Sequence, residues 1–419
     1  MINDSKLISP DFFPNFEKDD YDLIFSILKN KKEWQEGREL DLLKFELKKF
    51  FPDSYFFLFT TERGAIEHFL RFYFKYEKRK KIATQAFSCF VVPKAIIKAG
   101  GIPIFIDISK NYLNFNLDQL ENVFNKHSDI STVILQNTFG VPNNLEDIIN
   151  FLEDKNVLII ENLAHSFGSK FKGKYLGNFG DASFISFGRS KVLSSIFGGV
   201  LIIKNKKLAE DFNIYYQNLK LKFPSKIFIL RCLIYTMLMI KLRKNFNSLN
   251  KTLMVLMKTL GLSVLEISKK EKMGLTEDFS MTKMPNAFAK IALNQLKKIF
   301  KLNDHRKFIT DLYLKEGIIP YGETPTSNYE FYYLRYPIIY PEKRKIIEYF
   351  KKFNIYLGNW YNSVLAPINK RLDKFGYYYG MCKNAENLTY SIFNLPTNIL
   401  TTENDALLIS EILKSKKWL

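Results

Sequence analysis

Cysteine is scarce: Cys89, Cys232 and Cys382 are the three in 419 residues, widely separated and without a CxxC spacing. An odd number so arranged argues against a disulfide framework and against a zinc site, and it fits a reducing compartment. The opening MINDSKLISPDFFPNFEKDD has no basic start followed by an apolar run, so no signal peptide is expected and the cytoplasm is the expected location. The apolar stretch Ile227–Ile240 falls short of the roughly 20 residues a membrane span requires, and Arg231 interrupts it. Internal repeats and low-complexity linkers are missing. So are the signatures of helix-turn-helix, RRM or zinc modules, and no nucleic-acid partner is expected.

Acidic residues are in deficit, 43 Asp and Glu against 62 Lys and Arg, for a formal charge of +19. Such a charge attracts nucleic acid, anionic membranes and phosphorylated substrates alike. Lysine is scattered through nearly every helix-like segment, so a compositional bias accounts for much of it. Hydrophobic residues at 47% and charged residues at 25% exclude the composition of a disordered chain. The length suits two domains. The pattern places a large one over 1–305 and a smaller C-terminal one over 306–419.

From Asp53 to Ile203, short β-branched or aromatic runs alternate with amphipathic stretches of helix length, the pattern of a βαβ series with a mostly parallel sheet. Strands are expected at Ser54–Thr60, Lys81–Thr84, Ile102–Asp107, Thr132–Gln136, Val157–Glu161, Ala182–Ser186 and Gly199–Ile203. Helices are expected at Gly64–Tyr76, Val91–Ala99, Leu117–Asn125 and Leu145–Lys155. Residues 219–270 break the pattern as a basic, apolar helical pair, an insertion suited to packing on its own protein, to a dimer contact or to peripheral contact with an anionic membrane. Beyond a helix over Pro285–Phe308 comes a small α+β unit, with a strand in Glu330–Tyr340 and helices over Glu342–Phe353 and Glu403–Lys416.

The stretch with most chemistry runs from Ile159 to Ile203, IIENLAHSFGSKFKGKYLGNFGDASFISFGRSKVLSSIFGGVLII. Ligands of open α/β sheets sit beyond the carboxyl ends of the strands, so Asn162, His165, Ser186 and Lys191 can converge on one crevice. A lysine there can serve as an amine nucleophile.

This stretch resembles the DegT/DnrJ/EryC1/StrS family of sugar aminotransferases, whose pattern reads approximately IEDxAxxxG, GDxxxFSFxxxK and GG. The matching residues are Ile160-Glu161-Asn162-Leu163-Ala164-His165, Gly180 to Lys191, and Gly198-Gly199. Similar passages occur at Phe87–Ser109, Gln136–Ile148, Met284–Ile299 and Cys382–Asn398. The resemblance implies an α/β fold of the type I aminotransferase kind, a homodimer, and pyridoxal 5'-phosphate bound to Lys191 as a Schiff base. It implies transfer of an amino group from an amino acid, glutamate by expectation, to a ketosugar nucleotide.

By the same resemblance Phe87 takes the place of an aromatic that stacks on the ring, His165 lies near the phenolic oxygen, and Ser186 bonds the phosphate. Glu62, Arg63 and Gly64 fall where the family has a small-residue turn at a helix start. An arginine suits a phosphate there; a carboxylate does not unless it points away. Asn162 stands where the family has the aspartate that keeps the ring nitrogen protonated, so slower transfer is expected. Lys283 is matched to a cation that reaches the partner's phosphate, while the accompanying asparagine has no counterpart at Met281. A sugar dehydratase is disfavoured because Lys191 is kept. A non-catalytic scaffold is the alternative that Asn162 and Glu62 support.

Overall fold

The computed structural model describes residues 6–324 and 328–419. Its centre is a sheet of β1 (Tyr55–Phe59), β2 (Lys81–Gln85), β3 (Ile102–Ile106), β4 (Ile130–Gln136), β5 (Leu158–Asn162), β6 (Ala182–Ser186) and β7 (Gly199–Ile203). The order across it is β1-β7-β6-β5-β4-β2-β3, and β7 alone runs antiparallel to its neighbours. Each of the seven lies within a residue or two of its expected span. The reason is physical: β5, β6 and β7 are buried along their whole length, so each reads as a continuous apolar run bounded by polar turns.

Successive side chains of a strand point to opposite faces. In β7, Val200 and Ile202 enter one core while Leu201 and Ile203 enter another. Helix Glu62–Tyr73 packs in the second core, and helices Lys18–Lys29 and Asn286–Lys297 in the first. A third cluster belongs chiefly to the C-terminal part, where Tyr336–Ile339 pairs antiparallel with Ile392–Leu395. The helical pair of the insertion is present as Lys226–Lys244 and Ser248–Thr259.

Three features depart from the sequence reading. The helix expected over Pro285–Phe308 is two helices, Asn286–Lys297 and Ile299–Lys315, broken at Lys298 with φ −99 and ψ 4. The second of them runs uninterrupted past residue 305. The strand expected in Glu330–Tyr340 is two strands in different sheets, Tyr329–Glu330 and Tyr336–Ile339. Between them Leu334 N–H donates to the Phe139 carbonyl at 2.8 Å, pulling the chain out of line and sending Arg335 toward the centre of the molecule. The N-terminal helices Lys18–Lys29 and Glu39–Leu47 had no sequence expectation at all.

Candidate active site

A cavity opens at the carboxyl ends of β5 and β6 and encloses about 860 Å³, the solvent at its mouth included. Asn162 and Ser186 are the last residues of those strands and both form its wall. Glu62, Arg63, His165 and Lys191 join them, so six of the seven site residues expected from sequence come together. Gly199 lets this happen, because a Cβ there would meet the Glu62 backbone nitrogen at 2.3 Å. A glycine at this point allows the start of helix Glu62–Tyr73 to sit against β7.

Lys191 Nζ lies 3.2 Å from His165 Nε2. On the other side of the ring, Nδ1 accepts the Phe139 N–H at 3.2 Å. The neutral ring therefore carries its proton on Nε2, facing the lysine amine. Burial, followed by the charges of Lys191 and Arg335, holds the imidazole pKa well below its ordinary value, so the ring stays neutral. Its faces are covered by Phe139 and Tyr361, with ring centroids at 6.1 and 6.5 Å.

The loop bearing Lys191 is held from beneath by two residues that the sequence reading did not single out. Asn15 Nδ2 donates to the Lys191 and Val192 carbonyls at 2.7 and 3.0 Å. Arg306 Nη2 donates to the Val192 carbonyl at 3.1 Å and to Asn15 Oδ1 at 3.0 Å, while its Nη1 donates to Asn303 Oδ1 at 2.7 Å. Arg306 is almost wholly buried, and desolvation brings its pKa down to about 10.

At the other end of the cavity stands Glu62, in the first turn of its helix, where a negative group is favoured by the dipole. It is 8% exposed, and its Oε1 has no hydrogen-bond partner. Burial pushes the carboxyl pKa up, against the opposing pull of Lys191, Ser186, Arg63 and Asn162. Arg63 forms part of the wall, yet its charge is turned to Glu271. Nε approaches Glu271 Oε1 to 2.5 Å, off the N–H axis, and Nη2 donates to Oε2 at 3.2 Å. Lys94 joins the same carboxylate at 3.3 Å.

Phe87 is the expected residue that the fold does not bring to the cavity. It is fully buried and meets Phe139 and Tyr361 edge-on, at 6.1 and 5.1 Å, while its neighbours Ser88 and Cys89 form the wall. A two-residue shift along a strand and turn is invisible to a pattern written in residue types. Lys283 and Met281 are also away from this cavity; Lys283 Nζ lies over the Phe223 ring at 6.0 Å. Arg335, Trp360 and Tyr361 close the cavity from the C-terminal part and were not foreseen. Asp11 accepts from Arg335 Nη2 at 2.7 Å and from Trp360 Nε1 at 2.9 Å, fixing both. A lone arginine inside the otherwise apolar and aromatic FYYLRYPIIY was the available signal.

The model of the DegT/DnrJ/EryC1/StrS aminotransferase family matches residues 15–222 and 247–414. An uncharacterized protein of Methanocaldococcus jannaschii is 25% identical over 214 residues, 51% of this chain and 54% of its own length. GDP-perosamine synthase of Escherichia coli O157:H7 is 36% identical over 115 residues, 27% of this chain and 31% of that protein. The chain thus spans about half and about a third of the length of these two curated relatives. Among solved structures, Helicobacter pylori PseC, an aminotransferase involved in the biosynthesis of pseudoaminic acid, superposes with a TM-score of 0.71 over 100% of both chains at 17% identity, a likeness of fold.

Proposed function

Because the chain belongs to the DegT/DnrJ/EryC1/StrS aminotransferase family, we propose that it moves an amino group from an amino acid, glutamate by our inference, to a keto carbon of a nucleotide sugar, with pyridoxal 5'-phosphate held on Lys191. The observation that carries this reading is the Lys191 amine, 3.2 Å from a buried neutral histidine at the bottom of a cavity. The nucleotide-sugar substrate is suggested by relatives such as GDP-perosamine synthase. A homodimer and a cytoplasmic location belong to the same reading. Among the described residues no helix is long and apolar enough to cross a membrane.

The residues present fit the cofactor. Lys191 offers the amine, and Ser186 and the start of helix Glu62–Tyr73 would hold the phosphate. Glu62 is compatible because a carboxyl desolvated in this way favours its neutral form, whose O–H can donate to a phosphate oxygen. Its unpartnered Oε1 is the atom available for that bond. When bound, pyridoxal phosphate supplies a conjugated ring that draws electron density from the substrate carbon.

The chain's own residues do the remainder. Lys191 Nζ is the base that carries a proton to and from the substrate carbon, and the His165 Nε2–H orients it. Asn162 Oδ1 accepts the Ala164 N–H at 3.0 Å, which leaves its amide N–H group on the side of Glu62. A neutral amide holds no proton on a ring nitrogen, so transfer is slower than an aspartate would allow. Tyr361 and Trp360 line the cavity from the C-terminal part. A non-catalytic scaffold is the alternative, favoured by Asn162 and by a carboxyl group at the anion end.

The test is the visible absorption spectrum of the protein with pyridoxal phosphate, recorded beside Lys191→Ala before and after glutamate. A band that requires Lys191 and shifts on adding glutamate supports the reading. A band that glutamate leaves unchanged overturns the donor, and the absence of any bound cofactor favours the scaffold.

A further inference from the structure

The insertion differs in kind from the rest of the surface. From Leu219 to Leu265 there are nine lysines and arginines and no aspartate or glutamate. The family model skips residues 223–246, so helix Lys226–Lys244 is an addition to the family pattern. One side of it is firmly seated: Ile229, Cys232, Leu233, Met239 and Ile240 are buried, and Arg243 donates to the carbonyls of Phe13 and Phe16. Its outer side shows Ile227 at 73% and Ile234 at 43% exposure.

The following helix, Ser248–Thr259, buries Met257 alone. Leu249, Leu253, Leu256 and Leu260 follow one another at helical spacing along its outer face, between 39% and 75% exposed. Lys251 and Lys258 lie on the side of this helix away from that row, and Arg231 Nη2, donating to the Gly261 carbonyl at 3.1 Å, ties the two helices together. An apolar row of this size, on a segment whose charges are all positive, marks a contact surface.

We propose that this two-helix face docks on an anionic lipid bilayer, lying in the interface with its leucines among the acyl chains and its lysines at the headgroups. Two alternatives fit less well. A second copy related by a two-fold axis would set an acid-free cationic patch against itself. Nucleic acid would neutralise the lysines but leave the leucines in water. A bilayer surface satisfies both halves of the face. The proposal stands apart from the amino-transfer reading, since no cavity residue is involved.

The experiment is flotation of the full chain with vesicles of phosphatidylcholine alone and of phosphatidylcholine with phosphatidylglycerol, beside Leu253→Glu/Leu260→Glu. Both positions are exposed, so the fold is retained, as far-UV circular dichroism will check. The expected result is at least about tenfold tighter partition into the anionic vesicles, weakened by salt. The double variant is expected to lose about tenfold or more of it. Equal partition into both vesicles, no flotation, or unchanged flotation of the variant overturns the proposal. So does a wild-type dimer that the same substitutions dissociate while flotation persists.

Discussion

Replacing Glu271 by glutamine removes the single negative charge that two nearly buried cations share. Glu271 is fully buried; the Arg63 and Lys94 side chains are 11% and 6% exposed. At separations of 2.5 and 3.3 Å and an effective dielectric of about 20, each attraction is about 5 to 7 kcal/mol before desolvation is counted. Solvation of the carboxylate in the unfolded chain cancels much of this, and breaking such a pair costs about 3–5 kcal/mol because the remaining charges stay buried without a partner. The loss here should lie toward the upper end of that range, since two cations are stranded. The assay is unfolding in urea, which leaves ionic interactions unscreened, followed by circular dichroism. Removing all three charges together, Arg63→Met/Lys94→Met/Glu271→Leu, should recover most of the loss. A single variant within about 1 kcal/mol of wild type, or a triple variant no better than the single, would refute the reasoning.

Glu62 gives a pH signature. Burial raises its folded pKa above the ordinary carboxyl value, so the folded state binds more protons than the unfolded state. Stability is then greatest below the unfolded pKa and falls as pH rises through the folded one. Glu62→Gln should unfold at a higher urea concentration than wild type at pH 8, with the two converging toward pH 4; parallel curves would count against it. Arg306→Met takes the donor from Asn15 Oδ1 and Asn303 Oδ1, at about 1–3 kcal/mol for each unsatisfied group, while the Val192 carbonyl keeps the bond from Asn15. It should also weaken cofactor retention by loosening the Lys191 loop, measured by dialysis against buffer, whereas Arg306→Lys should retain more.

Several elements were legible because a local rule and the tertiary context agreed. The seven strands are apolar runs with polar ends, and the ordered text from Asn162 to Gly199 carries its chemistry in residue types at fixed spacing. The break at Lys298 was not legible, since helix propensity continues across it and only packing bends the chain there. Phe87 was misplaced for a related reason: residue type shows that an aromatic is near the turn, but the direction of each side chain depends on the backbone, which at Phe87 has φ 60.

The sequence by itself determined the family, the α/β architecture and the identity of Lys191, because these reside in periodicity and in motifs read along the chain. Tertiary structure alone decided which charges are spoken for. Arg63 and Glu62 are neighbours in sequence, yet one is paired with Glu271, 208 positions away, and the other is left with an unpartnered oxygen in the cavity. It also decided that Asn15 and Arg306, from opposite parts of the chain, grip the same lysine loop. Burial and pairing are properties of space, and distance along the chain carries no information about them.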